Sequence, residues 1–352
     1  MKNLKQYTLI LFTLLSIAFF SCDDNDNTPA GEYEHGVFVV NEGNYGTANG
    51  SISFVDRESG TVSPDLFGAV NNGLATGDVV QSLTIDGDFA YIVANNSNKM
   101  EVVNVNTFSS EYTVSNLALP RYFTTLDGKG YVTEWVSFTD PGRVSIIDLM
   151  SHAVTGSITT DFGAENIVAL GGKLYVSNNF TNTVSVIDPA SKEVIKTIEV
   201  GSAPGAFVVD SGNKLWVICG GNYEGNDGSL VQIDPSKSGE PAANSILKTI
   251  QLSVNVDVRM AINQEKNKIY YYKNNSVYAV NITDTTAPTS ALLTEAASTG
   301  FYGIGIDPDK NVLYLGDSKA FSANGEVYRY DLTGAAVDHM TVGIGPNGFA
   351  FK

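Results

Sequence analysis

The chain has 352 residues, a formal net charge of −17 at pH 7, two cysteines and three histidines. A balance this acidic excludes nucleic acid and anionic membrane surfaces as partners. Two cysteines exclude a disulfide framework, so the chain must rely on its own core, and its length is enough for one large repeat domain.

Lys2 and Lys5 precede the apolar run TLILFTLLSIAFF of residues 8–20. That run is too short to span a bilayer and fits a secretory signal peptide over residues 1–21. Ser21 and Cys22 then follow, and this order resembles a bacterial lipobox, with Phe19 and Phe20 where Leu and a small residue are usual. The resemblance implies that Cys22 is acylated and becomes the mature N-terminus. Cys219 then has no disulfide partner. Residues 22–35 open with Asp23, Asp24, Asn25, Asp26 and Asn27 and read as a flexible polar tether. Such an acidic run after the cysteine resembles the export signal of surface lipoproteins in Gram-negative lineages. It implies an outer-membrane, cell-surface-exposed protein attached to the membrane only through its lipid.

Residues 36–352 are built from short β-branched or aromatic runs bounded by Gly, Asn, Asp or Pro. The clearest unit begins at Ala164 and reads AENIVAL, KLYVSNN, TVSVIDP and EVIKTIEVG. These are four strands, A to D, joined by tight turns. Strand B carries an aromatic in each copy: Phe38, Tyr91, Tyr131, Tyr175, Trp216, Tyr270 and Tyr314. Strand C closes on Asp56, Asn104, Asp148, Asp188, Asp234, Asn281 and Asp331, at intervals of 40–50 residues. Seven copies of each marker predict an all-β, seven-bladed β-propeller of four-stranded antiparallel blades. The closing Asp or Asn is expected to accept backbone N–H groups two residues on. Strand A copies begin near Gln81, Arg121, Ala164, Pro204, Asp257, Phe301 and Pro346. None precedes GVFVVN at Gly36, so the C-terminal PNGFAFK is expected to complete the first blade and remove an open sheet edge.

LYVSNN at 174–179, with VSVIDP and TIEVG after it, resembles the YVTN-type repeat of bacterial surface propellers, and Tyr131-Val132-Thr133 is a second close match. The resemblance spans the mature chain. It implies the fold and leaves function open, because propellers host many unrelated activities.

In this architecture the B-to-C and D-to-A loops share the face around the mouth of the central channel. Long B-to-C loops occur in blades one, three, five and seven. The candidates they supply are Asn41, Glu42, Asn44 and Tyr45; Glu134 and Trp135, with Phe138 nearby; Asn222 and Tyr223; and Lys319 and Phe321. The shorter loops add Asn95 and Asn96 in blade two and Asn178, Asn179 and Phe180 in blade four. The D-to-A side adds Arg121, Tyr122, Arg259, Phe301 and Tyr302. Aromatic rings offer flat apolar area with few rotors to freeze, and amides offer uncharged donors and acceptors. That mix suits a large, flat, polar-edged ligand, although Asn and Gly are also ordinary turn residues. Arg121 and Arg259 either hold an anionic group near the axis or pair with Glu134 and Glu165; the sequence leaves both open.

His35, His152 and His339 all fall away from the predicted mouth. Histidine general-base or nucleophile chemistry is therefore not expected there, nor is a His or Cys cluster for zinc or copper. Cys219, at the end of a strand B, is expected to be a buried thiol. A calcium-bearing propeller lactonase using Glu42, Glu134, Glu165 and Asp317 is the enzymatic alternative, with no acidic loop motif to support it. No cofactor, metal or catalysis is expected.

Residues 36–56, GVFVVNEGNYGTANGSISFVD, resemble the opening blade of surface lipoprotein propellers that accompany TonB-dependent outer-membrane transporters. The resemblance implies capture of a bulky nutrient, cobalamin in one branch and a ferric siderophore in another, for passage to such a transporter; the aromatic and amide loops put cobalamin first, and a monomer is expected. A catecholate siderophore calls for several cations at the mouth, and only Arg121, Arg259, Lys273 and Lys319 are candidates. A protein-interaction scaffold and a propeller hydrolase or lyase are the competing classes.

Overall fold

The computed structural model describes residues 31–352 apart from 223, 224 and 238. The segment read as a signal peptide, Cys22, most of the acidic tether and Tyr223 lie outside the described residues.

Twenty-eight strands form seven four-stranded antiparallel sheets among the described residues, and the sheets are the blades of a seven-bladed β-propeller. Blade four shows the unit: Ala164–Leu170, Lys173–Asn178, Thr183–Asp188 and Glu193–Glu199, paired in chain order from the axis outward. Burial explains the sequence pattern. Strand B of blade one, Gly36–Asn41, is buried at every position, while the outermost strand of blade seven, Ala336–Thr341, is almost wholly exposed. A strand covered on both faces reads as a continuous apolar run.

The strand B aromatics fill the gaps between blades. Tyr91 stacks on Phe123 of blade three at 4.3 Å, and Phe38 on Phe108 of blade two at 5.1 Å. Tyr314 of blade seven packs on Phe349 and Phe351 of the closing strand. Each such ring pair adds about 0.5–1.5 kcal/mol beyond its burial.

The C-terminal strand Pro346–Phe351 is the innermost strand of blade one, as its sequence match implies. It pairs with Gly36–Asn41, placing Val37 opposite Phe351 and Val39 opposite Phe349. On the side away from the mouth, the Arg57 Nε lies 3.2 Å from Asp307 and one terminal nitrogen 3.0 Å from Asp309. Lys352 pairs with Glu34 at 3.0 Å. The seam between first and last blades is therefore fastened by strand pairing, ring contacts and ions.

The strand C closing residues act as turn caps with one exception. Asp56, Asn104, Asp148, Asp188, Asp234 and Asp331 each accept from the backbone N–H two residues on. Asn281 inverts the pattern: its backbone N–H and its amide both donate to Asp284. Other boundaries also move. Tyr33 is 8% exposed, with its ring 5.0 Å from Phe54 and 6.3 Å from Phe108, so the tether reading of residues 22–35 is corrected at its end. Strand A of blade six starts at Met260 instead of Asp257. Strand D of blade one is only Val62–Ser63, followed by the short helix Leu66–Val70, whose first turn Asp65 caps through the Gly68 N–H.

Candidate functional site

The innermost strands share a local device that aims side chains into the mouth. The residue just before strand A has positive φ in six blades: Val79, Leu119, Gly163, Ala203, Gly300 and Gly345. A β-branched residue such as Val79 is strained there, and strain of this kind gathers at functional sites. The strand then starts with a break in register, between Val80 and Ser82, Pro120 and Phe123, Ala164 and Ile167, and Phe301 and Gly303. Such bulges re-aim side chains. The residues they free are Gln81, Arg121, Glu165 and Tyr302, with Asn347 in the equivalent place on the closing strand.

Of these, Gln81, Arg121 and Tyr302 line a cavity of about 290 Å³. Blade one supplies Glu42 and Tyr45, blade two Gln81, Asn95 and Asn96, and blade three Arg121, Trp135 and Phe138. Arg259 and Tyr302 close it from blades six and seven. Arg259 and Gln81 also line the channel below, about 220 Å³, together with Tyr122 and Asn347.

Arg121 makes a two-pronged ion pair with Glu165 of the next blade, Nε to Oε2 at 2.8 Å and the terminal nitrogen to Oε1 at 2.9 Å. The Trp135 Nε1 donates to the same carboxylate at 2.9 Å, and the Arg121 guanidinium lies 3.9 Å from the Trp135 ring centre. Burial opposes the arginine charge, but Glu165 outweighs it and its pKa rises. This settles Arg121 as a bridge between blades three and four. Arg259 pairs with neither Glu134 nor Glu165. Its partner is Asp257, at 3.1 Å, and its guanidinium lies 4.5 Å from the Tyr302 ring centre. The Tyr302 hydroxyl donates to Glu42 at 2.7 Å.

Three candidates turn inward instead of toward the mouth. Asn41, Glu134 and Asn178 are 0% exposed. Each is the last residue of a strand B and fastens its own blade. Asn41 donates to Ser51 and Ser53, and Asn178 to Thr183 and Ser185. Glu134 accepts from Ser145, Arg143 and the Ala118 N–H. Asn179 donates to the Pro204 carbonyl, and Asn44 to the Phe321 carbonyl. Phe301 is 6% exposed and packs edge-on against Tyr272. Asn222 is joined to Asn226 and Asn255, outside the mouth cavity. Lys319 pairs with Asp317 at 3.4 Å, and Phe321 stands edge-on to Tyr302 at 5.1 Å.

What stays open is aromatic. Tyr45 is 79% exposed, Phe138 72% and Phe180 39%. Phe138 stacks on Phe180 at 5.9 Å, and Trp135 lies 4.9 Å from Phe180. Gly163 permits this rim: a Cβ there would meet the Phe180 ring at 2.6 Å, at a φ of +72°. Tyr45 is carried on a fastened loop, since the following Gly46 N–H donates to Asp78 at 3.0 Å. The sequence reading passed over Gln81 and Asn347 as lining residues. Their signal was a polar residue directly after the Val or Pro that heads strand A. Cys219 is fully buried, and burial pushes its thiol up to about 12, out of reach of nucleophile chemistry at neutral pH.

A family model described as "Domain of unknown function (DUF5074)" matches residues 35–346. No curated protein matches the chain. Among solved structures, a quinoprotein alcohol dehydrogenase-like protein from Bacteroides thetaiotaomicron superposes with a TM-score of 0.70 at 15% identity, over 91% of this chain and 78% of its own. A periplasmic gluconolactonase from Pseudomonas aeruginosa gives 0.66 at 12% identity, over 90% and 99%. A functionally unknown protein from Desulfotomaculum acetoxidans gives 0.63 at 13% identity, over 90% and 98%. Likenesses at these identities establish the propeller fold alone.

Proposed function

The chain belongs to the DUF5074 family, and from that premise we propose that it is a non-catalytic cell-surface lipoprotein that captures a bulky, flat, largely uncharged nutrient, a corrinoid such as cobalamin, on the mouth face. It then passes the ligand to an outer-membrane TonB-dependent transporter. The observation that carries this reading is the division of labour at the mouth. Its two arginines are neutralised within the protein by Glu165 and Asp257. The exposed Tyr45 and Phe138 remain for a ligand, while the amide nitrogens of Asn95 and Asn96 already donate to the Pro120 carbonyl and to Asp78. Two neutralised arginines suit a strongly anionic ferric catecholate poorly, which favours the corrinoid. Small-molecule sites occupy about 300–1,000 Å³. The cavity of about 290 Å³ therefore seats a projecting part of the ligand while the flat body rests on the rim.

The test is titration of the full chain with cyanocobalamin, then with a ferric catecholate, following visible absorbance. Saturable cobalamin binding is expected, weakened about tenfold or more in each of Tyr45→Ala and Phe138→Ala, as for interface aromatics. Both side chains are exposed, so neither change threatens the fold. Binding of the catecholate alone would transfer the reading to siderophore capture. Binding of neither would leave a surface scaffold, and turnover of a lactone panel would place the chain with the gluconolactonase that shares its fold.

A further inference from the structure

Blade six breaks a pattern that the other blades keep. The last residue of strand B is Asn41, Ala94, Glu134, Asn178, Cys219 and Asp317 in blades one to five and seven, and all six are fully buried. The polar members, Asn41, Glu134, Asn178 and Asp317, are all hydrogen-bonded within the protein; Asp317, for example, accepts from Thr299 and from the Lys319 N–H. In blade six this position is Lys273, which is only partly buried. Of the four basic candidates named from sequence, Arg121, Arg259 and Lys319 meet carboxylates. Lys273 makes no side-chain ion pair or hydrogen bond among the described residues.

Lys273 lines a cavity of about 500 Å³ between blades six and seven, separate from the mouth cavity. Its walls come from loops on the mouth face: Asn255 and Asp257 entering blade six, Asn274 in the B-to-C turn, and Thr299 entering blade seven. Tyr272, the preceding residue, belongs to the same wall. It is 1% exposed, with its hydroxyl buried against Asp257 and Arg259. An unpaired ammonium in the wall of a cavity is a group that a ligand acceptor stabilises.

We propose that this cavity is a second binding site, for a compact oxyanion-bearing molecule, a carboxylate or a phosphate, seated on the Lys273 ammonium and the Asn274 amide. The Asp257 carboxylate in the wall is no bar, because Arg259 neutralises it. The site is distinct from the capture reading and does not depend on it.

The experiment titrates the full chain separately with succinate and with inorganic phosphate, reading thermal shift and calorimetric heat. Saturable binding of at least one is expected, weakened about tenfold or more in Lys273→Met, in line with a charge-assisted hydrogen bond. Lys273→Arg is expected to restore it. Binding of succinate alone assigns carboxylates, and binding of phosphate alone assigns phosphates. Binding of neither overturns the proposal. So does binding that Lys273→Met leaves unchanged, because the oxyanion then sits elsewhere. Melting of the unliganded Lys273→Met protein at the wild-type temperature is the control that separates lost binding from lost fold.

Discussion

Arg121 and Arg259 stand on opposite sides of one mouth, each at or just before an innermost strand, each against an aromatic ring, each ion-paired. Their partners make them different. Glu165 belongs to the next blade, engages two nitrogens of Arg121 and also takes the Trp135 N–H. The side chains are 11% and 7% exposed. Asp257 is two residues before Arg259 in the same loop and engages one terminal nitrogen, while the buried Nε has no partner. Those side chains are 17% and 25% exposed. The first pair is a rivet between blades, and the second shapes a loop. A count of basic residues at a propeller mouth is therefore not a count of free charge.

The comparison presupposes a closed ring, and the most damaging change is to open it. Deleting residues 344–352 removes the strand paired with Gly36–Asn41 and the rings of Phe349 and Phe351 that cover Tyr314. It leaves Val37, Phe38 and Val39 on an open edge. We expect no cooperative melting transition by circular dichroism. An unchanged transition would show that the seam does not hold the ring.

Next in size is the contrast between the pairs themselves. Glu165→Ala strands the buried Arg121 charge and the Trp135 N–H, and removing one member of a buried pair costs about 3–5 kcal/mol. Asp257→Ala removes a more exposed, single-nitrogen pair at an open mouth, so a clearly smaller loss than for Glu165→Ala is expected. Urea unfolding of both variants measures the difference. Equal losses would dissolve the distinction between rivet and loop.

The same contrast marks the limit of what the sequence carries. Ring closure, blade count and turn caps were legible because each rests on short-range chemistry repeated seven times: an aromatic in strand B, an Asp or Asn ending strand C. The Arg121–Glu165 pair was only one of two readings left open, because it joins residues 44 apart whose meeting depends on how two blades pack. Asn41, Glu134 and Asn178 were read as loop residues facing outward. They are strand ends, and one position along a strand decides whether a side chain faces solvent or core. Asn281 looked like the other caps, yet Asp284, three residues on, took over the acceptor role. Gln81 and Asn347 were hidden because a bulge, not a motif, aims them at the mouth.

The smallest expected effects lie on the far face and keep the mouth comparison clean. Five closing carboxylates there sit below the ordinary aspartate value of 3.8. For Asp56, Asp148 and Asp188 the leading cause is a backbone N–H, from Ser59, Ser151 and Ala190 respectively. For Asp234 it is Lys214, and for Asp331 the Thr333 hydroxyl. A carboxyl lowered in the folded state stabilises it above the unfolded value, and that stabilisation is lost as pH falls through the lowered value. The carboxyl contribution to the melting temperature is therefore expected to be level from pH 7 to about 5 and to fall progressively below about 4, while burial, which lowers the pKa of His152, adds a smaller decline as pH falls through the ordinary imidazole value of about 6.5. Asp188→Asn should lower the plateau slightly and make the acid fall shallower by one carboxyl. Blade two, closed by Asn104, has no such carboxyl to lose, so Asn104→Asp should steepen the fall. Comparing Glu165→Ala with Asp257→Ala above pH 5 keeps these five groups ionised throughout. Any difference between the two variants then belongs to the arginines.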